Sequence, residues 1–127
     1  MARYLILSNS YSLIRIASER IAFVSSDGSY TKMTLIDGKV HVFSFNLANF
    51  EKTLEQQLGS ESQVFIRLGR GLIINCNLIY TLNISKQELI LSSGDSSKEF
   101  TLTVPKEALK TLKSLLEARL KSRRIGI

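Results

Sequence analysis

The side chains near the middle of the chain that are best suited to bind a polyanion are two arginines, Arg67 and Arg70. A guanidinium group can bond the O6 and N7 atoms of guanine together, a contact worth about 1 to 3 kcal/mol of discrimination between bases. Gly69 and Gly71 flank Arg70 and would let its backbone approach a groove closely. From these residues alone, however, a plain β-turn with a solvated arginine is the favoured interpretation.

The sequence contains no pattern typical of a catalytic or metal site. Its one cysteine, Cys76, cannot form an internal disulfide, and its one histidine, His41, leaves too few soft ligands for zinc. A G-x-S-x-G motif and a Walker loop are absent. We therefore expect no enzyme, no metal, no cofactor and no small-molecule substrate. We interpret His41 as an ordinary strand residue and Cys76 as a small, buried and unreactive thiol.

Positive charge is concentrated at the C-terminal end of the chain. The formal net charge is +6, which favours a polyanionic partner. Two interpretations of the C-terminal cations stay open: a helix end whose cations complement the helix dipole, or a group that contacts only phosphates. From residue 110 onward there is one acid, Glu117, and the basic residues are Lys110, Lys113, Arg119, Lys121, Arg123 and Arg124.

Length and hydropathy predict one domain over residues 1–127, with one core. No apolar run approaches the roughly 20 residues that a membrane span requires, and the first residues lack the layout of a signal peptide. We therefore expect a cytoplasmic protein that makes no contact with membranes.

Most of the chain alternates between apolar and polar residues, which predicts strands. The dipeptide Asp37-Gly38 is typical of a two-residue type I′ hairpin turn, in which both central residues have positive φ. The predicted strands cover residues 3–7, 13–16, 21–24, 30–36, 39–45, 64–68, 72–74, 79–84, 88–92 and 100–103.

The apolar spacing changes to three and four residues in two places, which predicts helices at 47–58 and 104–121. Asn46 and Gly59 are expected to cap the first helix. Thr103 is the expected cap of the second, with Pro105 in its first turn. Because about forty residues of strand separate the helices, they cannot form a helix-turn-helix. Any DNA contact must then come from loops or strands.

Residues 64–79, VFIRLGRGLIINCNLI, resemble the central signature of the LytTR-type DNA-binding domain. The residues in register with that signature are Phe65, Arg67, Asn75 and Ile79. The flanks IAFVSSDGSYTKMTLIDGKV and LANFEKTL are similar to the opening strands and the helix of the family, and TLTVPKEALKTLKSLL is similar to its closing strand and helix. The resemblance covers the chain from about Leu13 to Leu120.

The resemblance implies a mostly β fold, with about ten short strands in small sheets and two helices. It also implies that loops on one side enter successive major grooves of promoter DNA and bend the duplex. The loop over residues 27–31, the Gly69-Arg70 pair and the turn over residues 103–106 correspond to the contacting loops of the family. The implied contact residues are Ser29, Tyr30, Arg67, Gly69, Arg70 and Lys106.

Two departures from the family pattern affect this prediction. Gly69 has no side chain where the family usually has a polar one, and Val104-Pro105 replaces residues that are often basic. The resemblance nevertheless makes a base contact the favoured role of Arg70. Arg67 either binds phosphate or anchors a turn by bonding carbonyls. Tyr30 either contacts sugar or phosphate, or packs in its strand.

The function implied is a bacterial transcriptional regulator of the two-component, response-regulator type that binds double-stranded promoter DNA. Dimerisation of the chain on direct repeats is one route by which such a regulator could be controlled. The alternative is a degenerate fold that serves as a protein interaction module, through exposed strand edges or the basic C-terminal helix.

Asn75 is expected to cap the turn that follows it rather than to contact bases.

Overall fold

The computed structural model describes residues 3–94 and 98–120, which form a mostly β fold with two α-helices. Every strand predicted from the sequence is present, with ends that differ by up to three residues, and the first helix has the predicted bounds. The strands are β1 (Tyr4–Ser8), β2 (Leu13–Ala17), β3 (Ile21–Asp27), β4 (Tyr30–Leu35), β5 (Val40–Phe43), β6 (Phe65–Leu68), β7 (Leu72–Asn75), β8 (Ile79–Asn83), β9 (Glu88–Ser92) and β10 (Glu99–Thr103), and the helices are α1 (Leu47–Leu58) and α2 (Lys106–Leu120).

The strands form three antiparallel sheets. β1 and β2 make a two-stranded sheet, β10-β9-β8 a three-stranded sheet, and β5-β4-β3-β7-β6 a five-stranded sheet. In the five-stranded sheet β3 pairs with β4 on one side and with β7 on the other. No helix among the described residues is long and apolar enough to cross a membrane.

The antiparallel pairing places the turns of the five-stranded sheet at two opposite ends. β3 ends where β4 and β7 begin, so the β3–β4 and β6–β7 turns lie at one end, which we call the upper end. The β4–β5 turn lies at the other, lower end. The upper end therefore carries two of the three segments for which the sequence predicted DNA contacts.

Each face of the five-stranded sheet is covered by a separate apolar core. The β1–β2 hairpin and α1 cover one face, and the three-stranded sheet and α2 cover the other. Alternation explains the arrangement, because successive strand residues point to opposite faces. Buried residues of the first core include Leu5, Val24, Met33, Phe50, Leu54 and Ile73, and those of the second include Leu68, Ile74, Leu89, Leu91, Leu109 and Leu112.

The predicted caps of α1 are confirmed, and that of α2 is wrong. The Asn46 side chain accepts a hydrogen bond from the Asn49 N–H at 2.8 Å, and Gly59 ends α1 with φ +58°. α2 begins at Lys106, two residues later than predicted, so Pro105 precedes the first turn instead of lying in it, and its carbonyl accepts from the Leu109 N–H. Thr103 belongs to β10 instead, where it pairs with Glu88.

The hairpin at Asp37-Gly38 is confirmed, but its turn type differs from the prediction. Leu35 and Lys39 close a loop of three residues, and the Gly38 N–H donates to the Leu35 carbonyl. Gly38 has φ +91°, whereas Asp37 is not in the positive-φ region that a type I′ turn requires of both central residues. The two-residue turn lies instead between β3 and β4, at Gly28-Ser29.

Candidate nucleic-acid interface

The β3–β4 and β6–β7 turns lie side by side at the upper end. Ser25 pairs with Leu72 across β3 and β7. Beyond that pair, the Ser26 N–H donates to the Gly71 carbonyl at 2.9 Å, which extends the contact into the β6–β7 turn. A Cβ on Gly71 would lie 3.1 Å from the Ser26 Oγ, so glycine allows this close approach. The sheet therefore holds the two turns at a fixed spacing.

The β6–β7 turn consists of three residues that Arg67 holds in place. Leu68 pairs with Leu72, which leaves Gly69, Arg70 and Gly71 in the turn. Gly69 has φ +67°, a region that L side chains rarely adopt. Arg67 Nε donates to the Gly69 carbonyl at 3.2 Å, and Nη2 donates to the Arg70 carbonyl at 2.9 Å. The Arg67 side chain thus bonds two of the three carbonyls of the turn.

Arg67 is itself fixed by an acid on α1. Its Nη1 lies 3.0 Å from the Glu51 Oε1, and the Arg67 side chain is only 29% exposed. Of the two roles that the sequence left open, this geometry favours anchoring of a turn through carbonyls. Binding of DNA by Arg67 stays a prediction. No pattern in the sequence indicates Glu51, because only the packing of α1 on the sheet brings it to Arg67.

Arg70 extends from the part of the turn that is farthest from the sheet. The residue is exposed, and its own carbonyl is bonded to Arg67. Its backbone is therefore positioned while its guanidinium faces solvent, where a duplex could approach it. Gly69 is also exposed and adds no side chain that would obstruct that approach.

The β3–β4 turn is shorter than the loop over residues 27–31 that the sequence predicted. Asp27 pairs with Tyr30, and only Gly28 and Ser29 lie between them. Thr31 is not in the loop but buried in β4, where its hydroxyl donates to the Phe45 carbonyl at 2.6 Å. Ser29 is exposed at the tip of the turn.

Tyr30 begins β4 with its side chain largely in solvent. Tyr30 is 52% exposed, which disfavours the strand-packing alternative that the sequence left open. Beside it on the same sheet face, Lys32 pairs with Asp27 at 3.3 Å. The phenol is therefore available to a partner at the upper end.

Lys106, the contact residue of the third predicted segment, lies near the upper end but on the far flank of α2. Ala108 and Thr111 line a small pocket together with Gly69, so the first turns of α2 lie beside the β6–β7 turn. Successive helical residues are about 100° apart, which places Lys106 on the opposite side of α2 from Ala108. Lys106 instead lines a groove together with Asn83 at the end of β8 and Ser85 of the β8–β9 turn. The structure thus brings Ser29, Tyr30 and Arg70 to neighbouring turns and keeps Lys106 apart from them.

The role predicted for Asn75 is confirmed. Asn75 is buried, and its side-chain oxygen accepts from the Asn77 N–H at 3.0 Å in the turn that follows β7. Its amide nitrogen donates to the Ile21 carbonyl at 3.0 Å. With both ends of its side chain bonded inside the protein, Asn75 holds the β7–β8 connection against β3.

Cys76 differs from its prediction in burial and in surroundings. The residue is half-buried rather than buried. Although it has no basic neighbours in sequence, Arg119 of α2 places its Nη1 3.4 Å from the Cys76 Sγ and its Nη2 3.3 Å from the Gln63 carbonyl. Tertiary packing makes this contact, so sequence spacing could not reveal it. The cations Lys121, Arg123 and Arg124 lie outside the described residues.

Comparisons with known proteins bear on the family and the fold. A family model described as the LytTr DNA-binding domain matches residues 11–117. Among solved structures, the chain is similar to one described as the LytTr DNA-binding domain of a methyl-accepting/DNA response regulator from Bacillus cereus, with a TM-score of 0.60 and 18% identity. The match covers 90% of this chain and 96% of that one. No curated protein sequence matches the chain significantly.

Proposed function

The chain belongs to the family of LytTr DNA-binding domains, and on that premise we propose that it is a transcriptional regulator that binds double-stranded promoter DNA sequence-specifically. Family membership supports DNA binding in general. The observation that carries the finer proposal is the pair of neighbouring turns at the upper end, in which Arg70 is exposed and its backbone is bonded to Arg67. The proposal treats residues 1–127 as one DNA-binding domain.

In this proposal Arg70 enters a major groove and bonds a guanine. A fixed backbone favours such a contact, because less conformational freedom is lost when the guanidinium binds. Arginine is also the side chain that most often reads guanine, through its paired donors. The anchoring of the Gly69 and Arg70 carbonyls by Arg67 is the feature that distinguishes this turn from a plain turn with a solvated arginine.

Ser29 and Tyr30 are proposed to contact the sugar-phosphate backbone beside that groove. The β3–β4 and β6–β7 turns are about two strand spacings apart, or about 10 Å. One helical turn of B-DNA is about 34 Å, so both turns serve a single groove and its edge. A second major groove is proposed to meet the protein beyond these turns, and bending of the duplex toward the protein would bring that groove within reach.

The test is a selection of duplexes from a random-sequence pool, followed by titrations with the selected duplex and a scrambled duplex of equal composition. Binding should be salt-sensitive and should favour the selected duplex. Arg70→Ala should weaken binding to the selected duplex by about 1 to 3 kcal/mol and relax the preference at one base pair. Arg20→Ala, which removes an exposed arginine at the lower end, is the matched control and should leave the preference unchanged.

Three results would count against the proposal. If no sequence is enriched from the pool, the domain does not bind specifically. If Arg70→Ala weakens both duplexes equally, Arg70 is a phosphate contact and the β6–β7 turn does not read bases. If Arg70→Ala changes neither titration, the assignment of this turn is wrong.

The alternative function, a protein interaction module, is favoured by one observation. β5 is an edge strand of the five-stranded sheet, and its exposed residues include Val40 and Val42. Edge strands with apolar residues can pair with a strand of a partner. Failure of the selection together with self-association or partner binding that is lost in Val42→Lys would favour this alternative.

We extend the proposal to where the protein acts and how it is controlled. A regulator of promoter DNA acts beside the chromosome, so we place the chain in the bacterial cytoplasm, in signalling of the two-component type. Two copies are proposed to bind direct repeats as a homodimer. If so, the selected duplexes should contain the same half-site twice in one orientation, at a fixed spacing, and sedimentation should show two protein copies per duplex. One half-site with one copy would contradict the dimer.

A further inference from the structure

An open groove on the flank of α2 is lined on one side by three lysines. The groove has a volume of about 550 Å³, and its walls are α2 on one side and the end of β8 with the β8–β9 turn on the other. The end of β8 contributes Leu82 and Asn83, the turn contributes Ile84 and Ser85, and the helix contributes Lys106, Lys110 and Lys113. We call these three side chains the lysine strip.

The helical spacing of the lysine strip aligns its charges along one line. Lys106, Lys110 and Lys113 follow one another at steps of four and three residues, so they share a face of α2. At about 1.5 Å of rise per residue, the strip is about 10 Å long. One strand of B-DNA carries a phosphate about every 3.4 Å along the helix axis, so a strip of this length lies alongside several phosphates.

The existing ion pairs of the strip do not prevent it from binding an anion. Lys110 lies 3.5 Å from Glu107 and Lys113 lies 2.9 Å from Glu117. Both are exposed pairs within one helix, and such pairs contribute about 0 to 1 kcal/mol. A polyanion can therefore displace them at small cost. Lys106 is exposed at the first residue of the helix.

The direction of α2 places the strip beside the turns of the upper end. Ala108 and Thr111 lie beside Gly69, whereas Arg119 bonds the carbonyl of Gln63 just before β6. The helix therefore runs from the upper end toward the lower end, with Lys106 nearest the upper end. The lysine strip and the β6–β7 turn are on opposite flanks of the first half of α2.

We propose that the lysine strip binds the phosphate backbone of the duplex whose bases the upper-end turns read. This inference rests on the proposed function and extends it in two ways. It adds Lys110 and Lys113 to the interface, and it assigns phosphate rather than base contact to Lys106. Lysine suits this role because its ammonium is a point charge on a flexible stem, without the paired donors that read guanine.

The experiment compares two double variants that remove equal charge from opposite ends of the protein. Lys110→Gln with Lys113→Gln removes two charges from the strip, and glutamine preserves helix propensity. Lys39→Gln with Lys98→Gln is the control, because Lys39 follows the lower-end turn and the Lys98 side chain lies against Gly38 of that turn. Both variants and the parent are titrated with the selected and scrambled duplexes at several salt concentrations.

The strip variant should weaken binding to both duplexes by the same factor. It should also reduce the dependence of log K on log salt by about two units relative to the control, since each phosphate contact accounts for about 0.9. The preference for the selected duplex should be unchanged. Circular dichroism and thermal unfolding of both variants check that the fold is retained.

Each other outcome overturns a definite part of the proposal. If the salt slope of the strip variant equals that of the control while Arg70→Ala still removes base preference, the strip is wrong and the proposed function stands. If the strip variant loses base preference, its lysines are not phosphate contacts. If the parent binds without preference and the strip variant still lowers the slope, the strip stands and the reading function fails. If the parent binds neither duplex, both are wrong.

Discussion

The side-chain amide of Gln57 on α1 bonds both backbone groups of Ile6 on β1. The Ile6 N–H donates to the Gln57 Oε1 at 2.8 Å, and the Gln57 Nε2 donates to the Ile6 carbonyl at 2.8 Å. β1 pairs with β2 on its other side only, so the amide takes the place of a further strand at this edge. This contact fixes the N-terminal hairpin, whose first strand precedes the family match, to the rest of the fold.

Gln57→Ala should lower the free energy of unfolding by about 1 kcal/mol, because two hydrogen bonds in a partly exposed setting are lost. It should also increase hydrogen exchange at the Ile6 amide. Gln56→Ala, at an exposed neighbouring position on the same helix, is the matched control. Denaturant unfolding and exchange measured by NMR check the prediction. Equal exchange at Ile6 in both variants would show that the amide does not hold β1.

The elements of the fold could be predicted from the sequence because their signals are local. Alternation indicates strands such as β9, whose bounds were predicted correctly, and the spacing of Leu47, Phe50, Leu54 and Leu58 indicates α1. The types of the turns were harder to predict from the sequence. Asp37-Gly38 fits two different hairpin turns, and the pairing of Leu35 with Lys39 decides between them only in the folded sheet.

Contacts between distant segments could not be predicted. The role of Arg67 depends on Glu51, sixteen residues away, and the setting of Cys76 depends on Arg119, forty-three residues away. No local sequence pattern encodes contacts between residues so far apart in the chain, since these contacts follow from how the helices pack on the sheets. The same holds for the lysine strip, whose far wall is the β8–β9 turn.

Gly69→Ala should destabilise the protein by about 1 to 2 kcal/mol, because the φ of +67° is costly for a residue with a Cβ. A Cβ at this position would meet no atom within 4 Å, so backbone strain is the only cause of the loss. Gly69→Asn is the comparison, since asparagine tolerates this conformation better, and it should be less destabilising than Gly69→Ala. Equal losses in chemical denaturation would show that strain at this residue is not responsible.

Asp37 should make the stability of the hairpin depend on pH. The Lys39 N–H bonds the Asp37 carboxylate at 2.9 Å and is the main cause that lowers its pKa, with a further contribution from Arg20 at 3.0 Å. A carboxyl whose pKa is lower in the folded state stabilises the fold above its unfolded pKa of about 3.9. That contribution is lost as the pH falls through the lower, folded pKa.

Asp37→Asn should therefore show a smaller loss of stability than the parent between about pH 5 and pH 2, because the amide does not titrate in this range. Arg20→Gln keeps the bond from Lys39 and should retain most of the parent's pH dependence. Thermal unfolding at a series of pH values provides the comparison. Parallel curves for Asp37→Asn and the parent would contradict the assignment.

Arg67 is expected to act on DNA binding as a positioning residue for Arg70, and two substitutions separate this role from a phosphate contact. Arg67→Lys keeps the positive charge but cannot bond the carbonyls of Gly69 and Arg70 and the Glu51 carboxylate together. If Arg67 positions the turn, Arg67→Lys and Arg67→Gln should both reduce the preference for the selected duplex and lower the unfolding free energy by about 1 to 3 kcal/mol. The salt slope of Arg67→Lys should stay close to that of the parent.

If Arg67 binds phosphate instead, Arg67→Lys should bind both duplexes almost as the parent does, and Arg67→Gln should lower the salt slope by about one unit with the preference unchanged. Titrations of both variants with the selected and scrambled duplexes therefore decide between the two roles that the sequence left open.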